Sequence, residues 1–199
     1  MYELILFDLG GVVVEVESDR LLHQVSQLIG RSFEDVSRAV YDEDLLLPFE
    51  LGRIGPRQYY EGLTARLSLP WTYEQFVRAW NDMLRENPAV TGLAQRLSRH
   101  HRLMALSNTN VLHLNRIKAI PTLAVLHDWV ASCDVGLRKP DPQIYRLAIQ
   151  RAGARPERTI YIDDRPELVD AGRSAGLTAV RCESAAQLER DLRALGLTL

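Results

Sequence analysis

Leu4-Ile5-Leu6-Phe7-Asp8-Leu9-Gly10-Gly11-Val12-Val13-Val14 decides how this chain folds. An apolar run of this kind suits a strand covered on both faces. The carboxylate of Asp8 is out of place in such a strand, because an unpaired buried charge is very costly. It belongs where the strand runs out. Gly10 and Gly11 follow at once, so the backbone can turn sharply and bring its amides close to a ligand. A carboxylate on a tight loop after a central strand is a candidate nucleophile or metal ligand. The same residue could also serve as a turn cap.

Around this stretch lies a chain of 199 residues, enough for one domain, or for a core with a small insertion. Apolar residues make up 46% of it, and the formal charge is -2 with mixed signs. No long basic block is present, which argues against nucleic acid or an anionic membrane as a partner. Cys133 and Cys182 fall in apolar, strand-like stretches and do not suggest a disulfide framework. No segment is long enough to span a bilayer, and the first residues lack a basic lead. The expectation is a soluble cytoplasmic protein, a monomer or homodimer.

Three regions differ in texture. Residues 1–14 are strand-like, 18–86 are helical, and 88–199 alternate strands and helices. In the helical region Leu21, Leu22, Val25, Leu28 and Ile29 share one face, with Gly30 as the stop. Ser32 opens a second helix, Pro56 a third and Thr72 a fourth, the last running through Phe76, Val77, Trp80 and Leu84. Four helices in series read as a small bundle. Further on, Arg102–Leu106, Trp129–Cys133, Thr159–Ile162 and Leu177–Val180 read as strands, separated by helical patterns. That alternation implies βαβ units and a parallel sheet. The fold expected is α/β: a doubly wound (Rossmann-like) parallel sheet with a helical insertion after its first strand.

Ligands in such sheets bind beyond the carboxyl ends of the strands. Three strand ends carry distinctive polar groups: Asp8, Ser107-Asn108 and Asp163-Asp164. Three carboxylates at one edge would repel one another and require a cation. An oxygen-rich set without His or Cys points to Mg²⁺. One of the paired aspartates could instead cap the helix that begins near Arg165, but that accounts for one Asp and not two. Ser107-Asn108-Thr109, ahead of a helix, can seat a phosphate. Lys139, in Gly136-Leu137-Arg138-Lys139-Pro140-Asp141-Pro142, is a cation on a loop stiffened by two prolines. The five histidines show no ligand spacing and read as surface or turn residues.

Four pieces, Phe7-Asp8-Leu9-Gly10-Gly11-Val12, Leu106-Ser107-Asn108, Arg138-Lys139-Pro140 and Tyr161-Ile162-Asp163-Asp164, together resemble the haloacid dehalogenase-like hydrolase superfamily. The pattern is nearest its capped phosphatases, such as bacterial α-glucose-1-phosphate phosphatases and the phosphatase domain of soluble epoxide hydrolase. The resemblance implies a hydrolase core at 1–14 and 88–199 and a helical cap at 15–87. It implies that Asp8 attacks phosphorus, and that Asp8, the Gly10 carbonyl and Asp164 hold Mg²⁺, with Asp163 acting at one remove. Ser107, Asn108 and Lys139 would bind the phosphoryl group of a small phosphorylated metabolite, a sugar phosphate. Phe49-Glu50-Leu51-Gly52-Arg53-Ile54 looks like the family's cap segment, which would bring Arg53, and Tyr41, Tyr59 or Trp80, toward the substrate.

In one place the pattern breaks. Most phosphatases of this family carry a second Asp two residues after the nucleophile as acid and base, where this chain has Gly10. Loss of such a group costs about 10²–10⁴ in rate. Three explanations are open: a substrate with a better leaving group, a substitute carboxylate such as Glu15 or Glu17, or a weak member that only binds a phosphorylated ligand. A 2-haloacid dehalogenase needs no such acid, but the pair Asp163-Asp164 is a liability in that chemistry.

Overall fold

Strand β1 (Leu4–Phe7) is buried at every position, in a computed structural model that describes residues 2–199. Ile5 and Phe7 enter one apolar layer, and Leu4 and Leu6 enter the other. The two-residue period of a strand sends alternate side chains to opposite faces, so a strand covered on both sides needs apolar residues throughout.

The chain then leaves through a tight loop into β2 (Val14–Val16) and the helices α1 (Ser18–Ile29), α2 (Phe33–Val40), α3 (Glu43–Glu50), α4 (Pro56–Leu67) and α5 (Tyr73–Asn81). It returns through β3 (Leu84–Glu86), which pairs antiparallel with β2, Val14 opposite Glu86 and Val16 opposite Leu84. This ribbon ties the two passages of chain side by side. The apolar run of residues 4–14 is therefore two strands with a loop between them. Leu84 belongs to a strand, not to the preceding helix, because its backbone groups pair across the ribbon.

The five helices pack around their own core, which includes Leu22, Val36, Phe49, Tyr59, Phe76 and Trp80. Gly30 closes α1 at φ 66°. Ser32 accepts from the Asp35 amide, and Thr72 and Gln75 form a reciprocal cap. Helix α3 was not legible in the sequence. Three consecutive leucines and an internal Pro48 hide its period, although Asp42 caps it and Leu45 and Phe49, four apart, are its buried pair.

The remaining elements are α6 (Pro88–Leu97), β4 (Arg102–Ser107), α7 (Val111–Lys118), β5 (Asp128–Ala131), α8 (Ser132–Val135), α9 (Pro142–Ala152), β6 (Thr159–Asp163), α10 (Pro166–Ser174), β7 (Thr178–Arg181) and α11 (Ala185–Ala194). The expected strand at 129–133 ends at Ala131, and Ser132 and Cys133 begin α8. The sheet order is β5-β4-β1-β6-β7, with every pairing parallel. Residues of α6, α7 and α11 cover one face, and those of α9 and α10 the other. The fold is thus α/β and doubly wound, with a helical insertion after the first strand. From β1 the chain builds outward to β4 and β5, then returns to build β6 and β7 on the other side. The order reverses beside β1, where the crevice of a doubly wound sheet lies. Among the described residues no helix is long and apolar enough to cross a membrane.

Candidate active site

Parallel register brings the ends of β1, β4 and β6 to the same edge. Phe7 stands opposite Ala105 on one side and Ile162 on the other. Asp8 therefore emerges between the ends of β4 and β6, and its amide donates to the Ile162 carbonyl at 2.9 Å. The Leu9 amide donates to Asp8 Oδ1 at 2.7 Å. The next turns knot the loop: the amides of Val13 and Val14 both donate to the Leu9 carbonyl at 3.0 Å.

Lys139 is the counter-charge. Its Nζ lies 3.0 Å from Asp8 Oδ1 and 2.6 Å from Asp163 Oδ2, and its side chain is 0% exposed. A lysine is buried this deeply only when it is paired. Asn108, from the end of β4, fixes the lysine's backbone. Its Oδ1 accepts from the Lys139 amide at 2.8 Å, and its Nδ2 donates to the Lys139 carbonyl at 2.8 Å. Asp163 is fully occupied. Beyond Lys139, its Oδ2 accepts from the Tyr161 hydroxyl and its Oδ1 from the Arg165 amide at 2.9 Å. Burial and the charges of Asp8 and Asp163 hold the Tyr161 phenol protonated far above its ordinary range.

Asp164 faces outward from the same corner. A Cβ on Gly11 would collide with its carboxylate, and Gly11 sits at φ 77°. Both facts call for glycine there. Asp8, Asp163 and Asp164 each offer an oxygen within 4.8 Å of the others. Lys139 pairs with Asp8 and Asp163, and Asp164 has no ion pair among the described residues, so carboxylates outnumber the ammonium at this corner. Burial raises the Asp8 carboxyl above its ordinary value; Lys139 opposes that, Asp163 adds to it, and Ser107 opposes it. Burial raises Asp164 as well, and the Asp163 charge adds to the effect. The donors are all oxygen, which fits a hard divalent cation such as Mg²⁺. In front lies a cleft of about 360 Å³ lined by Asp8, Gly10, Gly11, Val16, Asn108, Lys139, Asp164, Arg165 and Leu168.

A family model described as haloacid dehalogenase-like hydrolase matches residues 2–176. The chain belongs to the haloacid dehalogenase-like hydrolases. Among similar proteins, the phosphorylated carbohydrates phosphatase of Thermotoga maritima is 24% identical, over 89% of this chain and 83% of that one. The D-ribitol-5-phosphate phosphatase of Bacteroides thetaiotaomicron is 24% identical, over 96% of this chain and 97% of that one. A crystal structure of a family enzyme from Bacteroides thetaiotaomicron, in complex with magnesium and inorganic phosphate, aligns at TM-score 0.84. It is 22% identical and covers 94% of this chain and 99% of its own.

Within this haloacid dehalogenase-like hydrolase the structure brings Asp8, Gly10, Asn108, Lys139 and Asp164 to the cleft, with Asp163 directly behind them. Ser107 is buried at 2% exposure on β4. Arg53 does not line the cleft. It is exposed, in the turn after α3, where its amide donates to the Pro48 carbonyl at 2.8 Å. The neighbouring Gly52 is pressed on the Cys133 carbonyl of α8, with no room for a Cβ. Tyr59 and Trp80 are packing residues. The Tyr59 hydroxyl donates to Val40 O at 2.8 Å, and Trp80 Nε1 to Asn110 Oδ1 at 3.4 Å. His113 is neither a surface nor a turn histidine; it is half-buried in α7, stacked on Trp80. Sequence reading missed Tyr161 as a partner of Asp163 and Val16 as a cleft wall; Arg165, which by its position at a helix start reads as a surface arginine, lines the cleft. The i,i+2 spacing of Tyr161 and Asp163 on one strand face was the available signal for the first. Nothing local marks Val16.

Proposed function

We propose that this chain is a Mg²⁺-dependent phosphoric monoester hydrolase acting on small phosphorylated metabolites, sugar phosphates foremost, through an aspartyl-phosphate on Asp8. The observation that carries this reading is the meeting of Asp8, Asp163 and Asp164 around a corner whose only ammonium is Lys139. Asp8, the Gly10 carbonyl and Asp164 would hold the ion, with Asp163 reaching it through water. Bound Mg²⁺ would supply the positive charge that lets a phosphate dianion approach a carboxylate. Lys139 holds Asp8 in place and offsets phosphoryl charge, and Ser107 and Asn108 seat the phosphoryl oxygens. The helical insertion serves as the lid over the cleft and sets substrate choice. Arg53 is left without a part in this assignment. Similarity to two sugar-phosphate-type phosphatases supports the substrate class.

The test is release of phosphate by purified protein from a panel of phosphorylated metabolites, with and without Mg²⁺. Steady, Mg²⁺-dependent release that is lost in Asp8→Asn is the expected result. Formation of one equivalent of aspartyl-phosphate without turnover would make the chain a binding member of its family instead.

A further inference from the structure

Gly10 leaves the cleft without a side chain at the position two residues beyond Asp8. A Cβ built there would come within 3.3 Å of Val16 Cγ2. Val16 belongs to the β2–β3 ribbon, is 44% exposed and lines the same cleft as Asp8. An isopropyl group thus fills the direction in which a side chain at position 10 would project. The polar side chains beside it already have protein partners. Lys139 Nζ is held by Asp8 and Asp163, the Asn108 amide by the Lys139 backbone, and the Arg165 guanidinium by Glu167 Oε1 at 2.8 Å. Among the described residues the only carboxyl groups lining the cleft are Asp8 and Asp164. Glu50, a half-buried carboxyl at the end of α3, faces Arg138 at 3.5 Å and does not line it.

We propose that this cleft selects esters by the acidity of their leaving oxygen: it hydrolyses phosphates of anomeric hydroxyls, enols or phenols and discriminates against those of plain alcohols. The proposal rests on the phosphatase reading above. In the first step an Asp8 oxygen forms a bond to phosphorus as the bond from phosphorus to the leaving oxygen breaks. The electron pair departs on that oxygen, which later takes a proton from water. In the second step water attacks the same phosphorus, the bond to Asp8 breaks, and the surplus proton goes to solvent. A general acid matters most where the leaving anion is most basic, so its absence penalises alkyl esters and spares acidic ones. Val16 presents an apolar wall to the group that leaves.

The experiment is a leaving-group series: kcat/KM with Mg²⁺ for aryl and alkyl phosphates of graded leaving-group pKa, on the native protein, Gly10→Asp and Asp8→Asn. The expected result is a steep fall with rising pKa, with aryl esters ahead of alkyl esters by about 10²–10⁴. Gly10→Asp should shrink that ratio about tenfold or more, since only the end of the Val16 side chain must give way. A flat series with activity that vanishes in Asp8→Asn overturns this proposal and leaves the phosphatase reading standing. No hydrolysis of any ester by the native protein overturns both. Should Gly10→Asp not fold, the slope of the native series decides alone.

Discussion

Lys139 Nζ stands 3.0 Å from Asp8 Oδ1, and the two side chains are 0% and 9% exposed. The ammonium also reaches Asp163, so one lysine stabilises carboxylates from two strands. Lys139→Met keeps the stem's volume and strands both charges. Removing one partner of a buried pair costs about 3–5 kcal/mol. Urea denaturation should show a loss of that order, and phosphate release should fall by about 10² or more. An unchanged denaturation midpoint would mean that the ammonium is not buried between them in solution.

Gly11 combines φ 77° with a Cβ direction blocked by the Asp164 carboxylate. Gly11→Ala is expected to destabilise the protein by about 1–3 kcal/mol and to push Asp164 aside. Titration calorimetry with Mg²⁺ should therefore report weaker binding than in the native protein. Equal affinity would show that the Asp164 position is not what holds the ion.

Cation binding should be visible without turnover. A ligand that binds only the folded state adds about 2.7 kcal/mol at a hundred times its Kd. Mg²⁺ should raise the Tm of the native protein, chelation should reverse the shift and abolish phosphate release, and Asp164→Asn should lose most of the shift. A shift undiminished in Asp164→Asn would place the ion elsewhere.

His113, which does not line the cleft, gives the fold a pH dependence. Its Nε2 lies 3.0 Å from the Trp80 carbonyl, which can only accept, so that nitrogen carries the proton. Burial depresses its pKa from 6.5 to about 4. The unfolded chain binds the proton first, so the neutral ring's contribution is complete above pH 6.5 and lost as pH falls toward about 4. The loss amounts to roughly 3 kcal/mol at 1.36 kcal/mol per pKa unit. Denaturation midpoints at pH 7 and pH 5 should differ more in the native protein than in His113→Phe, which keeps the stack on Trp80. Equal differences would show that another group carries the dependence.

Legibility in the sequence followed the range of the interaction. The helices with a caps-and-period signature, such as the one opened by Ser32, stood out because their hydrogen bonds are local. The β2–β3 ribbon did not, since Val16 and Leu84 pair across the whole helical insertion. Asp8 and the Asp163-Asp164 pair could be singled out by residue type and by position at the ends of apolar runs, and Lys139 by its loop stiffened by two prolines. Arg53 was singled out by its place in a stretch that resembles the family's cap segment, and the structure keeps it off the cleft, with Gly52 seating that turn against α8.

The order of residues along the chain determined by itself that strands alternate with helices and that polar groups sit at strand ends, because alternation, caps and turn glycines act over a few residues. Tertiary structure alone decided that β1 lies at the centre of the sheet, with β4 and β6 as its neighbours. From that placement follow the burial of Lys139 between Asp8 and Asp163 and the grip of Asn108 on the lysine's backbone. The contacts of Lys139 and Asn108 join residues far apart in sequence, and strand order, which no local pattern encodes, brings them within bonding distance; Val16 meets Gly10 because the β2–β3 ribbon folds the loop back.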